Sequence, residues 1–152
     1  MTKSYILFAV VFTSIFVLLS SCACTKKENQ MIPNDFHLRF GAGGGFTGIW
    51  SGYFINQDGN VLKWEGKMGN EKFQDFGNLS NEAMGYILKE IKSKNIMMIN
   101  MQNTGNMTMS INITLDSLEN NILFTADSSN DTSKVLQKFY QNLDSTIKSI
   151  KK

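Results

Sequence analysis

Met107-Thr108-Met109-Ser110-Ile111-Asn112-Ile113-Thr114-Leu115 alternates without a break between apolar and polar side chains. A period of two places Met107, Met109, Ile111, Ile113 and Leu115 on one face of a β-strand. Thr108, Ser110, Asn112 and Thr114 take the other face. Such a strand belongs to a sheet with one face on a core and one in water, the signature of antiparallel architecture. Asn103-Thr104-Gly105-Asn106 turns the chain into this strand, Asp116–Asn120 turns it out, and Ile122–Ala126 reads as the strand that follows.

The same pattern recurs upstream. Phe36, Leu38 and Phe40 share a strand face, with His37 and Arg39 opposite. Phe46–Asn56 has strand character, Asn56-Gln57-Asp58-Gly59-Asn60 is a strong turn, and Val61–Glu65 is the returning strand. A polar loop with Gly66, Gly69 and Gly77 follows, in which Lys72–Phe76 is a possible short edge strand, and Ile96–Met101 reads as another strand. Between them lies a helix. Ser80 is its N-cap, Leu79 and Met84 form a hydrophobic staple, and Met84, Ile87, Leu88 and Ile91 keep the helical period. A last helix over Thr132–Ile150 carries Val135, Phe139, Leu143 and Ile147 at four-residue steps, widened by Leu136 and Tyr140, with Asp131 as its cap. The expected fold is α+β in the order βββαβββα: a largely antiparallel sheet with two helices packed on its apolar face. At 152 residues one domain is expected, spanning 35–152.

The first 34 residues read differently. Lys3 is a short positive region, and Tyr5–Leu19 is a 15-residue run broken only by Thr13 and Ser14. As a helix it would rise about 22 Å, short of the ~30 Å hydrocarbon core, so it has the proportions of a secretory signal rather than a stable span. Leu19-Ser20-Ser21-Cys22 then resembles the lipobox of bacterial lipoproteins. The resemblance implies a signal peptide over 1–21, cleavage before Cys22, and a diacylglycerol and an N-acyl chain on that cysteine. Those acyl chains suffice for stable membrane anchoring. Ala23 in place of Asp implies, by the same family analogy, the outer membrane of a Gram-negative envelope. Cleavage after Ala23 by the ordinary peptidase, acylation of Cys24 instead, and an uncleaved buried helix are the competing readings. Residues 22–34 form a polar tether of roughly 20 Å on coil statistics. With Cys22 acylated, Cys24 is left without an internal disulfide partner.

Charge separates the parts further. The whole chain is +2, but residues 35–144 hold 9 basic and 12 acidic side chains, so the folded part is −3. That balance argues against nucleic-acid binding, which needs a basic face. Fourteen lysines against one arginine read as codon bias.

Catalytic chemistry finds few anchors. Gly43-Gly44-Gly45-Phe46-Thr47-Gly48 satisfies G-x-G-x-x-G, but Ile49–Ile55 reads as strand where a dinucleotide site needs a helix N-terminus. A hairpin connection with positive φ or close backbone approach is the better reading, and no nucleotide is expected. His37 is the one histidine and has no His/Cys cluster to form a metal site or triad. Asp58, Asp116 and Glu119 fall in turns, where acids are common for conformational reasons; a hydrolase built on them is the rival enzymatic reading. No catalytic residue, metal or further cofactor is assigned.

The aromatic content beside the glycines carries the functional expectation. Phe46, Trp50 and Phe54 share one face of their strand, and Ile49, Tyr53 and Ile55 the other. A strand apolar on both sides is either sandwiched between layers or exposes aromatics that bind something. Gly44, Gly45, Phe46, Thr47 and Trp50, with Trp64 on the neighbouring strand, form the candidate binding surface. Gly44-Gly45-Phe46-Thr47-Gly48, a strand, the Leu79–Glu82 helix start, two strands and a C-terminal helix resemble emfourin-type proteins in layout over residues 36–150. The resemblance implies a small α+β inhibitor of thermolysin-like metalloproteases. The turn and strand Asp58-Gly59-Asn60-Val61-Leu62-Lys63-Trp64 is similar to uncharacterised lipoprotein domains of the Bacteroidota. The expectation is a lipid-anchored envelope protein that binds a protein or peptide; a structural accessory subunit is the alternative.

Overall fold

The structure, a computed structural model, describes residues 31–127 and 130–151. Its strands are β1 (His37–Gly44), β2 (Ile49–Asn56), β3 (Asn60–Lys67), β4 (Asn70–Asn78), β5 (Met107–Leu115) and β6 (Leu118–Phe124). The helices are α1 (Asn81–Ser93) and α2 (Asp131–Lys148), the latter followed by a 3-10 turn at Ser149–Lys151. The strands form one six-stranded sheet in the order β4-β3-β2-β1-β5-β6, with every neighbouring pair antiparallel. The fold is α+β.

The element order is ββββαββα, not βββαβββα. Two local causes account for the difference. Asn70–Asn78 is a full edge strand, although its glycine and charges read mostly as loop. Ile96–Met101 is no strand: Asn95 sits in the left-handed region (φ 51°) and Ile96–Met98 forms one 3-10 turn. The Asn120 side-chain amide donates to the Ile96 and Ile99 carbonyls at 3.1 and 2.9 Å, which holds this turn against β6. The chain then runs briefly along β6, where the Leu123 N–H donates to the Met101 carbonyl and the Asn103 N–H to the Leu123 carbonyl. That segment covers the β6 edge.

β1 lies in the middle of the sheet, with Leu38 between Ile55 and Ile113 and Phe40 between Tyr53 and Ile111. These side chains meet Met84, Ile87, Leu88 and Ile91 of α1 and Leu136, Phe139, Leu143 and Ile147 of α2 in one buried core. Both helices therefore pack on the same sheet face. Tyr140 stands edge-on to Phe40 with ring centroids 5.2 Å apart. Asn142 links the helices by donating to Glu90 at 2.9 Å. Val135 of the expected apolar row is exposed, because four-residue steps overrun the 3.6-residue turn and carry the row around the helix.

The helix starts follow local chemistry. Ser80 Oγ accepts the Ala83 N–H at 3.2 Å. The last helix is capped by Asn130, not Asp131: Asn130 Oδ1 accepts the Ser133 N–H at 2.7 Å, and Asp131 is the first helical residue. In the β2–β3 turn, Asn56 Oδ1 accepts from both Asp58 and Asn60, and Gly59 adopts φ 79°. At the N-terminal side Ile32 packs against the core, and the Phe36 N–H donates to the Pro33 carbonyl. Among the described residues no helix is long and apolar enough to cross a membrane.

Candidate binding face

Neither helix covers the second face of the sheet, and the strand registers decide what gathers there. One row runs Gly41, Gly52, Trp64, Phe73 across β1 to β4, and the next runs Gly43, Trp50, Gly66, Glu71. The glycines are the floor on which the indoles lie. A Cβ on Gly41 would stand 2.6 Å from Trp64 Cζ2, and one on Gly43 2.4 Å from Trp50 Cγ. Any side chain at either position would lift the ring off the sheet.

Arg39 closes over Trp64 from above. Its guanidinium carbon is 4.1 Å from the ring, a cation–π stack, and Nη2 donates to Glu71 Oε1 at 2.8 Å. Trp64 is thereby only 2% exposed. The bond from Arg39 holds the Glu71 carboxyl below the usual glutamate range. Next to this stack His37 packs on Phe54 at 5.7 Å, and its Nδ1–H donates to the Asp35 carbonyl.

The face is concave. The β3–β4 turn, with Met68, forms one wall of a trough of about 400 Å³, and Ser110, Asn112, Asn121 and Leu123 form the other. Trp50 and Trp64 lie between the walls. The same end of the sheet carries an exposed apolar rim: Phe46 (108% exposed) at the β1–β2 turn, Met68 at the β3–β4 turn beside the trough, and Ile49 and Met107 on the strand side that continues the core face.

The expected surface residues divide between these two places. Trp50 and Trp64 come together in the trough. Gly44 and Gly45 (φ 104° and 62°) and Thr47, whose Oγ1 accepts the Ile49 N–H, build the β1–β2 turn with Phe46 at its tip. Phe46 therefore does not share a strand face with Trp50 and Phe54; β2 begins only at Ile49. The glycine motif joins two strands, with β2 following it directly and not the helix a dinucleotide site needs. Arg39, Glu71, Asn112 and Asn121 were not expected at the site. The one available signal was Arg39 on the wet side of its strand, but the register that brings it to Trp64 is tertiary.

The turn carboxylates do not converge. The Asp58 N–H donates to Asn56, Asp116 is left-handed (φ 52°) with its N–H on the Asp35 carboxylate, and Glu119 lies not in a turn but in β6, which starts at Leu118 and pairs Glu119 with Thr114. No hydrogen bond or ion pair joins any two of these three. Among the described residues no group of three or more His, Cys, Asp or Glu side chains is placed to hold a metal. Cys22 and Cys24 lie outside the described residues. No protein-family model matches the chain, and no curated protein is significantly similar to it.

Proposed function

We propose that this chain is a membrane-anchored cell-envelope lipoprotein whose α+β domain binds a protein or peptide partner. The observation that carries the binding reading is the exposed apolar rim of Phe46, Ile49, Met68 and Met107. Apolar side chains that protrude together on a folded domain mark an interaction site. The anchor rests on the signal-like leader and on Leu19-Ser20-Ser21-Cys22, with Cys22 carrying the acyl chains. Geometry relates the two. The tether joins the domain just before β1, and the rim lies at the far end of that eight-residue strand, about 25 Å away. A domain hung from Cys22 thus presents its rim away from the point of attachment. Inhibition of a metalloprotease is the sharpest form of this reading, supported by the protruding turn with Phe46 at its tip.

In cells fed a palmitate analogue, the native chain takes up label and Cys22→Ala does not; label that persists in the variant overturns the assigned lipid site. A photo-crosslinking residue in place of Phe46 captures one stable protein partner. Failure to capture any overturns the rim as a docking site. Loss of thermolysin-like activity on adding the protein supports the inhibitor form, and full activity dismisses it.

A further inference from the structure

The trough on the open sheet face carries a second inference, independent of both the lipid anchor and the protein partner at the rim. We propose that it binds a neutral saccharide, with a sugar ring stacked on Trp50 and its hydroxyls held by Ser110, Asn112 and Asn121.

Charge narrows the ligand first. Arg39 and Glu71 are the two charged side chains lining the trough, and they are spent on each other at 2.8 Å. A phosphorylated, acidic or basic ligand meets no uncompensated charge there. A wholly apolar ligand fits no better, since it would strip water from Ser110, Asn112 and Asn121 without replacing those hydrogen bonds. The side chains of these three make no hydrogen bond within the described structure, so their donors and acceptors are free for a ligand. What remains is a neutral ligand with an apolar face and a polar edge. A pyranose ring has both: its axial C–H groups form a flat apolar patch, and its hydroxyls project around the rim.

Trp50 supplies the platform. It is half-buried on Gly43, so one indole face is fixed against the sheet while part of the other faces the trough. Trp64 beside it has a buried Nε1–H with no acceptor, the one such side-chain atom among the described residues. An extended peptide is the poorer fit. The floor strands have committed their backbone groups to the sheet ladder, which leaves nothing to pair with a peptide backbone. A volume of about 400 Å³ falls in the range of small-ligand sites and suits a short saccharide.

The test uses the full chain, solubilised in a detergent without a sugar headgroup. It is titrated with neutral oligosaccharides of glucose, mannose, galactose and N-acetylglucosamine, followed by calorimetry and tryptophan emission. Both tryptophans of the chain border the trough, so emission reports on this site. At least one saccharide gives saturable heat and an emission shift at millimolar concentration or below. Trp50→Ala weakens that binding about tenfold or more, Trp50→Phe restores part of it, and the exposed pair Asn112→Ala/Asn121→Ala weakens it with an unchanged melting temperature. No saturable binding by any member of the panel overturns the proposal. So does binding that survives both variants, or tighter binding of an acidic oligosaccharide than of its neutral counterpart.

Discussion

Arg39 is the chain's one arginine against fourteen lysines, and its surroundings require it. A planar guanidinium can lie flat on an indole while its edge donates to a carboxylate; a lysine ammonium does one or the other. Arg39→Lys is expected to cost about 1 kcal/mol in denaturant unfolding and to shift Trp64 emission to longer wavelength as water reaches the ring. The pair is also acid-labile. Glu71 titrates lower folded than unfolded, so its contribution is present above the unfolded value and is lost as pH falls through the folded one. The Trp64 emission change therefore follows an acid titration below the ordinary glutamate range, and Glu71→Gln abolishes that titration. Gly52 is a second position where one residue decides. A Cβ there would sit 2.0 Å from the Phe40 carbonyl oxygen, so Gly52→Ala forces β1 and β2 apart and costs about 3 kcal/mol, read as a lowered denaturation midpoint. Neither role shows in the sequence, because the strand register that brings Gly52 onto β1 and Arg39 over Trp64 is tertiary.

At the scale of elements, what was legible depended on how far away the deciding partner lay. Ser80 caps α1 through a bond three residues on, and the Asn56–Asn60 turn closes on itself, so both were readable. Ile96–Met101 was not, since its six residues are apolar enough for a strand and only Asn120 and β6 impose another shape. β4 was under-read for the opposite reason: an edge strand with most side chains in water shows no apolar alternation to detect. The seam between α2 and the sheet has a pH limit of its own. Burial, with Asp144 and Tyr53 adding to it, pushes the Tyr140 hydroxyl up to about 12. A raised folded value means its stabilisation is full below the unfolded value near 10 and is lost as pH rises through 12. Melting temperatures near pH 8 and near pH 11 should differ more for the native chain than for Tyr140→Phe. Equal differences would show that this hydroxyl does not limit alkaline stability.

For the whole molecule, the alternation in residues 107–115 together with the helical periods of residues 84–91 and 135–147 sufficed for the class: a one-sided antiparallel sheet under two amphipathic helices. It could not supply the strand order, because every alternating strand pairs equally well with every other until distant chain is brought alongside. The candidate site was half legible for the same reason. Aromatic and glycine positions were visible, but the trough exists only because β4 and β5 face each other across three strands. The order predicts a gradient in amide exchange. β1, paired on both sides, should exchange slowest, and β4, with one open edge, fastest among the strands; a β4 as protected as β1 would mean that its edge is covered.

The central place of β1 also has a consequence in time. Chains are made from the N-terminus, and β2 is available to close the first hairpin almost at once. The other partner of β1, residues 107–115, does not exist until most of the chain has been synthesised. Through that interval the strand destined for the middle of the sheet is an unpaired edge, and α2 has not yet been made to complete the cover over its apolar side chains. A nascent chain of this protein is therefore most open to wrong pairing at the strand that is best protected once folding is complete.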